Sequence, residues 1–239
     1  MPLQWVYSNV HGPMSTRSWW GNVYWVSFID DYSCFLTVYF IRNKSDVFGV
    51  FKWYRAWVEN VTGCRISILH DDKGGEYTST ELNRYLAEAG IHCEHLIQDT
   101  PQQLGIVEHL NHTLDEGITT LLSQSGLSCA WWEDTTLHFL YGKIWLPSSV
   151  TVPNTPYDLL YGKKGSVEHL QPFGCLAYVH LQKDQCGAFQ PHMLQCILVG
   201  YPTDYKGWHF WDPAAHKEVI SDSTVFCKSV FPHQQWGVC

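Results

Sequence analysis

The fold is decided by two runs, LHDDKGGEY at residues 69–77 and TPQQLGIVE at residues 100–108. Thirty-five residues separate Asp72, at the end of a predicted strand, from Glu108, in the first turn of a predicted helix. Between them the pattern predicts a helix over 79–89 and a short strand over 92–97. A β-α-β-loop-α unit of this kind can bring both carboxylates to one edge of a sheet. A divalent metal held there could activate water or a sugar hydroxyl against a phosphodiester.

The composition is that of a globular protein with few basic residues. Of 239 residues, 45% are hydrophobic and 16% are charged, which excludes a disordered chain and allows one large domain and a small one. The formal net charge is −8 with 15 Lys and Arg residues. Because duplex binding depends on neutralising phosphates, we expect DNA binding to be weak, although a local basic groove is compatible with this total.

Cysteine usage and the N-terminus predict an intracellular protein of the nucleus or cytoplasm that is not secreted. The nine cysteines include no C-x-x-C pair, so zinc-ribbon spacing is absent from the sequence. Their number is odd and no signal peptide precedes them, which favours reduced thiols. No apolar run approaches the roughly 20 residues that span a bilayer, so no membrane partner is expected.

Hydrophobic periodicity predicts an α/β arrangement up to residue 146. The predicted strands are 3–10, 22–28, 34–41 and 65–69, and the predicted helices are 45–61, 106–122 and 127–146. Residues 98–105 carry Pro101 and Gly105, which predicts a mobile loop over the site. Residues 147–156 are rich in Pro, Ser and Thr and indicate a domain boundary. Beyond it, short apolar runs at 175–181, 195–201, 208–212 and 218–226 predict a small β-barrel.

Several runs resemble the integrases of copia-type retrotransposons and, more distantly, those of retroviruses. The matching runs are FIDDYS at 28–33, DKGGEY at 72–77, TPQQLGIVE at 100–108, TPYD at 155–158, HLQPFGC at 169–175 and VGY at 199–201. The resemblance implies a ribonuclease H-like α/β fold, with a mixed five-stranded sheet and flanking helices, followed by a small β-barrel domain. The expected ranges are an integrase-core-like domain at 1–147, a linker at 148–172 and the β-barrel domain at 173–232.

The resemblance also implies a site of three carboxylates that hold two Mg²⁺ or Mn²⁺ ions, and here the first carboxylate is replaced. The family's first aspartate falls on Asn9, and the other two fall on Asp72 and Glu108. An asparagine offers one neutral carbonyl oxygen, and its amide hydrogens cannot bind a cation. We expect Asn9, Asp72 and Glu108 to form the catalytic site, with Asp72 and Glu108 holding a weakly bound or single ion. No small-molecule cofactor is expected.

Two acids in the predicted hairpin turn are alternative ligands. Asp30 or Asp31 could replace the missing carboxylate, since both follow the neighbouring strand. The plainer interpretation is that these turn residues are solvated or paired locally. His92-Cys93-Glu94-His95 is likewise read as ordinary strand pairing, because alternation lets only every second residue share a face.

The family's DNA-contacting positions have become less basic in this sequence. After the glutamate, three basic positions are His109, Leu110 and His112, whereas Asn111 matches. We expect Asn111, His112 and Lys73 to be the nucleic-acid-binding residues. His112 also lies four residues after Glu108, on the same predicted helix face, so a metal pair is an alternative. A replaced phosphate-contacting residue accounts for it better.

Three hypotheses follow for function. The first is a metal-dependent polynucleotidyl transferase descended from an integrase, with DNA as its partner, possible homo-oligomers and activity impaired at Asn9. The second is a non-catalytic nucleic-acid-binding or assembly module that kept the fold. The third is a decaying transposon fragment. The acidic charge and the replaced residues favour the second and third over an active enzyme.

Overall fold

A computed structural model describes residues 1–71, 74, 75, 77, 79–95, 101–148, 150–181 and 192–234, with the backbone alone at 95 and 101–109. Its elements in chain order are β1 (Trp5–His11), β2 (Tyr24–Asp30), β3 (Leu36–Ile41), α1 (Val47–Thr62), β4 (Ile68–Asp71), α2 (Thr80–Ala89), β5 (His92–His95), α3 (Pro101–Ser125), α4 (Trp132–Ile144), α5 (Pro156–Tyr161), β6 (Leu176–His180), β7 (Met193–Gly200), β8 (Trp208–Asp212), β9 (Lys217–Ser221) and β10 (Thr224–Cys227). None of the helices in these residues is both long and apolar enough to cross a membrane.

The backbone forms two compact units that alternate along the chain. The first contains residues 1–113 and 142–167, and the second contains 114–141 and 168–239. The domain ranges expected from the sequence are contiguous segments. They remain a prediction about which parts of the chain fold independently.

The first unit is built on a mixed five-stranded sheet of order β3-β2-β1-β4-β5. The strands β1, β2 and β3 pair antiparallel, and β4 pairs parallel with both β1 and β5. This is the mixed sheet with flanking helices that the resemblance implied. One face of the sheet is covered by the main hydrophobic core, in which Phe28 stacks on Tyr54 of α1 at a centroid distance of 4.3 Å. Leu82 and Leu86 of α2 join the same core.

The second unit is built on an antiparallel five-stranded sheet of order β10-β6-β7-β8-β9. One cluster of buried residues includes Cys196, Leu198 and Phe210. Another joins Trp131 to Phe173 and Val199. This sheet is the small barrel-like domain expected from the short apolar runs.

The element boundaries differ from the predicted ones in four places. The loop predicted over 98–105 is wrong for residues 101–105, because α3 already begins at Pro101, a residue that the first position of a helix accepts. Residue 108 therefore lies in the second turn of α3, not the first. Residues 98–100 lie outside the described residues. The strand predicted over 65–69 lies at Ile68–Asp71. The run 218–226 is two strands, β9 and β10. Residues 45 and 46, predicted as the start of a helix, lie in a short 3₁₀ turn before α1.

Candidate active site

The central strand β1 presents different chemistry on its two faces. Val6, Ser8 and Val10 alternate on one face, and both valines lie in the main core. The hydroxyl of Ser8 hydrogen-bonds the hydroxyl of Tyr77, the last residue of the DKGGEY run. Tyr77 is 1% exposed, so this contact fixes the end of that run against β1.

The other face of β1 carries Tyr7 and Asn9 and is covered by α3. Leu110 of α3 packs on a cluster that contains Tyr7 and Ile29. The side-chain amide of Asn111 donates a hydrogen bond of 3.1 Å to Oδ1 of Asn9. Asn9, the residue expected from the sequence at the position of the family's first aspartate, therefore touches α3, the helix that contains residue 108.

The parallel neighbour β4 continues this face at the same level. Tyr7 pairs with His70 in the register, and their rings stack at a centroid distance of 5.0 Å. Nδ1 of His70 lies 3.5 Å from Oε2 of Glu94 on β5. Burial and the neighbouring Asp31 carboxylate raise the pKa of Tyr7, which keeps this phenol neutral. This face of the sheet therefore carries polar side chains on β1, β4 and β5 beside the apolar cluster of Tyr7 and Ile29.

The structure describes some of the predicted site residues in full, one by its backbone alone, and others not at all. Asn9 lies on β1, and Asn111 and His112 lie on α3, with His112 exposed. Asp72 and Lys73 lie outside the described residues. Glu108 belongs to α3 by its backbone, and its side chain lies outside the described residues. The contact between Asn9 and Asn111 was not anticipated from the sequence, since nothing local links residues so far apart along the chain.

Asp30 is hydrogen-bonded partly within the turn, as the plainer interpretation expects, and partly to the distant Leu3. Its Oδ1 accepts the backbone N–H of Leu3 at 2.7 Å. Its Oδ2 accepts the backbone N–H and the hydroxyl of Ser33 at 3.0 and 2.6 Å. The residue is 1% exposed, so its carboxylate has a structural role and stabilises the hairpin turn and the start of the chain. Asp31 is exposed, and its carboxylate lies near enough to Tyr7 to raise the pKa of that phenol.

The His92-Cys93-Glu94-His95 run pairs as an ordinary strand with β4. Nε2 of His92 lies 3.6 Å from Oε1 of Glu94, which shares its face. Cys93 points the other way and donates a 3.1 Å hydrogen bond from its sulfur to Asp71. Burial, followed by that bond and the nearby carboxylates, raises the pKa of Cys93 to about 12. Asp71, fully buried, therefore lies beside Cys93 and apart from the face that carries His70.

Comparison with known proteins gives the family. The integrase core domain family matches residues 2–101, and the retroviral polymerase SH3-like domain family matches residues 175–236. The chain is 37% identical over 227 residues to the retrovirus-related Pol polyprotein from transposon TNT 1-94 of Nicotiana tabacum, covering 95% of this chain. The resemblance to copia-type retrotransposon integrases is confirmed. Two further Pol polyproteins, from transposons RE2 and RE1 of Arabidopsis thaliana, are 28% and 25% identical over 84% and 98% of this integrase-like chain.

The integrase-like chain spans only a small part of these relatives. It covers 17% of the TNT 1-94 polyprotein, 14% of RE2 and 16% of RE1. The matched families follow the two sheets: the integrase core match lies in the first unit and the SH3-like match in the second.

Solved structures show the same fold. A chain of the simian T-cell lymphotropic virus intasome in complex with the PP2A regulatory subunit B56 gamma matches 97% of this integrase-like chain and 80% of its own length, with a TM-score of 0.55 and 13% identity. The HTLV-2 integrase catalytic core domain in complex with magnesium, in its trimeric form, matches 66% of this chain and 97% of its own length, with a TM-score of 0.50 and 12% identity. At these identities the likeness is one of fold.

Proposed function

We propose that this chain is the integration segment of a retrotransposon Pol polyprotein, that its site binds one divalent ion, and that strand transfer is impaired at Asn9. The contact between Asn9 and Asn111 is the main support, because it puts a neutral amide at the junction of β1 and α3. The proposal concerns this segment alone, since the relatives are much longer proteins.

The sheet register supports Asp72 as a neighbour of Asn9. The parallel pairing of β1 and β4 runs from Trp5 with Ile68 to Tyr7 with His70. Continued by two residues, the same register would pair position 72 with Asn9. Because side chains alternate along a strand, position 72 would share the face of His70, whereas Asp71 faces away.

Helical spacing supports Glu108 as the third residue of the proposed metal site. Residue 108 precedes Asn111 by three positions within α3, and such residues are neighbours on a helix surface. Asn111 touches Asn9, so a side chain one turn earlier would approach the same end of β1 and β4. The expected donor set is two carboxylates and one amide oxygen.

That donor set fits a single divalent ion better than a pair. In the two-metal reaction, the ions activate the attacking hydroxyl and stabilise the leaving oxygen of the phosphodiester. Two such cations roughly 3.5–4 Å apart repel each other strongly, and an anionic bridging ligand reduces that repulsion. Asn9 supplies a neutral oxygen that already accepts a hydrogen bond from Asn111. Asp72 and Glu108 would orient one ion, and the second would be lost or weakly held.

The proposed function requires two kinds of partner, DNA and further copies of this chain. The similar viral proteins are described as an intasome and as a trimeric catalytic core with magnesium, which supports the same class of partners and ion for this chain. Weak DNA binding follows from the net charge of −8 and from the histidines and leucine at basic positions of the family.

Calorimetric titration with Mn²⁺ tests the site directly. We expect Asp72→Ala to remove one bound ion per chain and to leave the folded protein otherwise unchanged. Wild-type protein should show no Mg²⁺- or Mn²⁺-dependent strand transfer on duplex oligonucleotides. Robust strand transfer by the wild-type chain would falsify the proposed impairment, and equal ion counts in wild type and Asp72→Ala would exclude Asp72 as a ligand.

A non-catalytic nucleic-acid-binding or assembly module is the second candidate function. It is favoured by Asn9 and by the exposed His112 at a basic position of the family. A salt titration with duplex DNA distinguishes a chain that has either of these two functions from a chain that has lost both. Affinity that falls as salt rises is expected of a binding module, and absence of binding at low salt would eliminate it.

A further inference from the structure

We propose that Asp134, His209 and Glu218 in the second unit bind one divalent transition-metal ion, for which Zn²⁺ is the best fit. One ligand atom from each of these three residues lies within 4.8 Å of the other two. Among the described residues this is the group of His, Cys, Asp and Glu side chains that converges closely enough to share an ion. It belongs to the second unit, and none of its residues is among those expected to form the integrase site.

The β8–β9 hairpin brings His209 and Glu218 together. In its register His209 pairs with Ile220, and Trp211 pairs with Glu218. His209 and Glu218 are therefore diagonal neighbours on one face of the antiparallel pair, within reach of long side chains. Phe210 faces the opposite side and is fully buried in the core of the sheet. The hairpin thus keeps the imidazole and the carboxylate on the face opposite Phe210.

The third ligand comes from the first turn of α4. Asp134 lies in that turn and is 7% exposed. The segment before it is packed on the same hairpin, since the rings of Trp131 and Trp211 meet edge to face at a centroid distance of 5.2 Å. Three separate elements, α4, β8 and β9, therefore each contribute one ligand, and packing of the indole rings holds them in place.

The distances suit metal coordination. Zinc binds imidazole nitrogen and carboxylate oxygen at about 2.0–2.2 Å, so two ligand atoms on a tetrahedral ion lie about 3.4 Å apart. Nε2 of His209 is 3.2 Å from Oε2 of Glu218. The pair therefore needs little movement to share an ion, and Asp134 is near enough to complete three protein ligands.

The charge of the cluster also favours a cation. Asp134 and Glu218 bring two carboxylates to the cluster, and a divalent ion bound together with a neutral imidazole matches their combined charge. The imidazole ligand selects Zn²⁺ or similar metals over Mg²⁺, which prefers oxygen ligands.

Such an ion would cross-link the start of α4 to the β8–β9 hairpin within the second unit. Three protein ligands leave a fourth tetrahedral position, which water fills in sites of this kind. The competing interpretation is a salt bridge between protonated His209 and Glu218, with no bound metal. The first interpretation predicts that the chain binds a metal ion at this cluster, and the second predicts that it does not.

The test uses the 239-residue chain after removal of metal with a chelator. Glu218→Gln and His209→Asn each remove one ligand at a partly exposed position, so both variants are expected to fold. Asp222→Asn makes the same loss of one negative charge just beyond β9, at an exposed position, and is the matched control. Asp72→Ala removes the expected ligand of the integrase core and identifies ions bound there.

We expect one Zn²⁺ per chain to be lost, or bound at least about tenfold more weakly, in Glu218→Gln and His209→Asn, and retained in Asp222→Asn and Asp72→Ala. Zn²⁺ should raise the Tm of the wild type and the two control variants. Co²⁺ used as a spectroscopic probe should show ligand-field bands without a sulfur-to-metal charge-transfer band. Unchanged Zn²⁺ binding in both ligand variants, or thiolate bands from bound Co²⁺, would overturn the proposal and leave the salt bridge as the account of the cluster.

Discussion

The side-chain amide of Asn111 donates a hydrogen bond to the side-chain oxygen of Asn9, over a distance of 3.1 Å. This bond joins the middle of the central strand to α3. An aspartate at residue 9 would accept the same bond, and a hydrogen bond to a charged acceptor is roughly twice as strong. The local structure therefore accommodates either asparagine or aspartate at residue 9. The two residues are expected to differ in how strongly they bind a cation.

The first prediction concerns the charge at residue 9. If residue 9 belongs to the proposed metal site, Asn9→Asp adds an anionic ligand that can bridge two cations, so we expect a second Mn²⁺ ion per chain in calorimetric titration. Strand transfer should recover little, because the basic positions after residue 108 remain His109, Leu110 and His112. Asn60→Asp, at an exposed position of α1, is the control for added charge and should leave the ion count unchanged. A count that stays the same in Asn9→Asp would argue against residue 9 as a ligand position.

A double-mutant cycle tests the link between β1 and α3. Asn9→Ala and Asn111→Ala each remove one partner of the bond, and we expect each to lower the free energy of unfolding by about 1 kcal/mol. The double variant should cost less than the sum of the two, with a coupling of about 0.5–1.5 kcal/mol. Urea denaturation followed by tryptophan fluorescence measures all four proteins. Strict additivity would show that the two side chains act independently in solution.

Asp30 provides a prediction that separates a structural acid from a metal ligand. Its carboxylate accepts three hydrogen bonds, from the backbone of Leu3 and from the backbone and hydroxyl of Ser33. Asp30→Asn would turn amide hydrogens toward at least one of these donors, so we expect a loss of about 2–3 kcal/mol in the free energy of unfolding. The Mn²⁺ count should stay as in the wild type. Loss of a bound ion with unchanged stability would reverse this assignment.

Asp31 is the matched control for Asp30. It follows Asp30 directly and is exposed. Asp31→Asn removes the same charge at the solvent surface, so we expect a cost of about 1 kcal/mol or less. The difference between these neighbouring substitutions isolates the buried hydrogen bonds from the change in net charge.

Local signals predicted the elements best. The helix predicted over 79–89 is observed as α2, where the hydroxyl of Ser79 accepts the backbone N–H of Leu82 at the start of the helix. The hairpin of β2 and β3 followed from aromatic and β-branched runs around a polar turn. The start of α3 was missed because Pro101 and Gly105 suggest a loop, although proline is favoured at the first helical position.

Contacts between distant segments could not be predicted from local patterns. Asn111 lies 102 residues after Asn9, and only the packing of α3 on the sheet brings them together. The Asp134, His209 and Glu218 cluster draws on three elements, and no motif spacing connects them. The resemblance to the integrase family supplied the expected site, because a family pattern carries information about the fold that periodicity within a short window lacks.

His138 makes the stability of the second unit depend on pH. It is buried on α4, where its ring stacks on Tyr201 at a centroid distance of 5.0 Å and meets Phe173 edge to face at 5.2 Å. Burial lowers the pKa of His138 from 6.5 to about 4. Below pH 6.5 the unfolded chain therefore binds a proton that the folded chain does not, and stability falls until the pH reaches about 4.

Replacement of His138 should remove this part of the pH dependence. Over the full interval the shift corresponds to about 3 kcal/mol, at about 1.4 kcal/mol for each unit of pKa. Between pH 7 and 4.5 we expect the wild type to lose about 2–3 kcal/mol more in free energy of unfolding than His138→Phe, which keeps an aromatic ring among Tyr201 and Phe173. Urea denaturation at both pH values measures this difference. His180→Phe, at an exposed position of β6, should behave as the wild type. If His138→Phe loses as much stability as the wild type, carboxylates elsewhere in the chain account for the acid sensitivity.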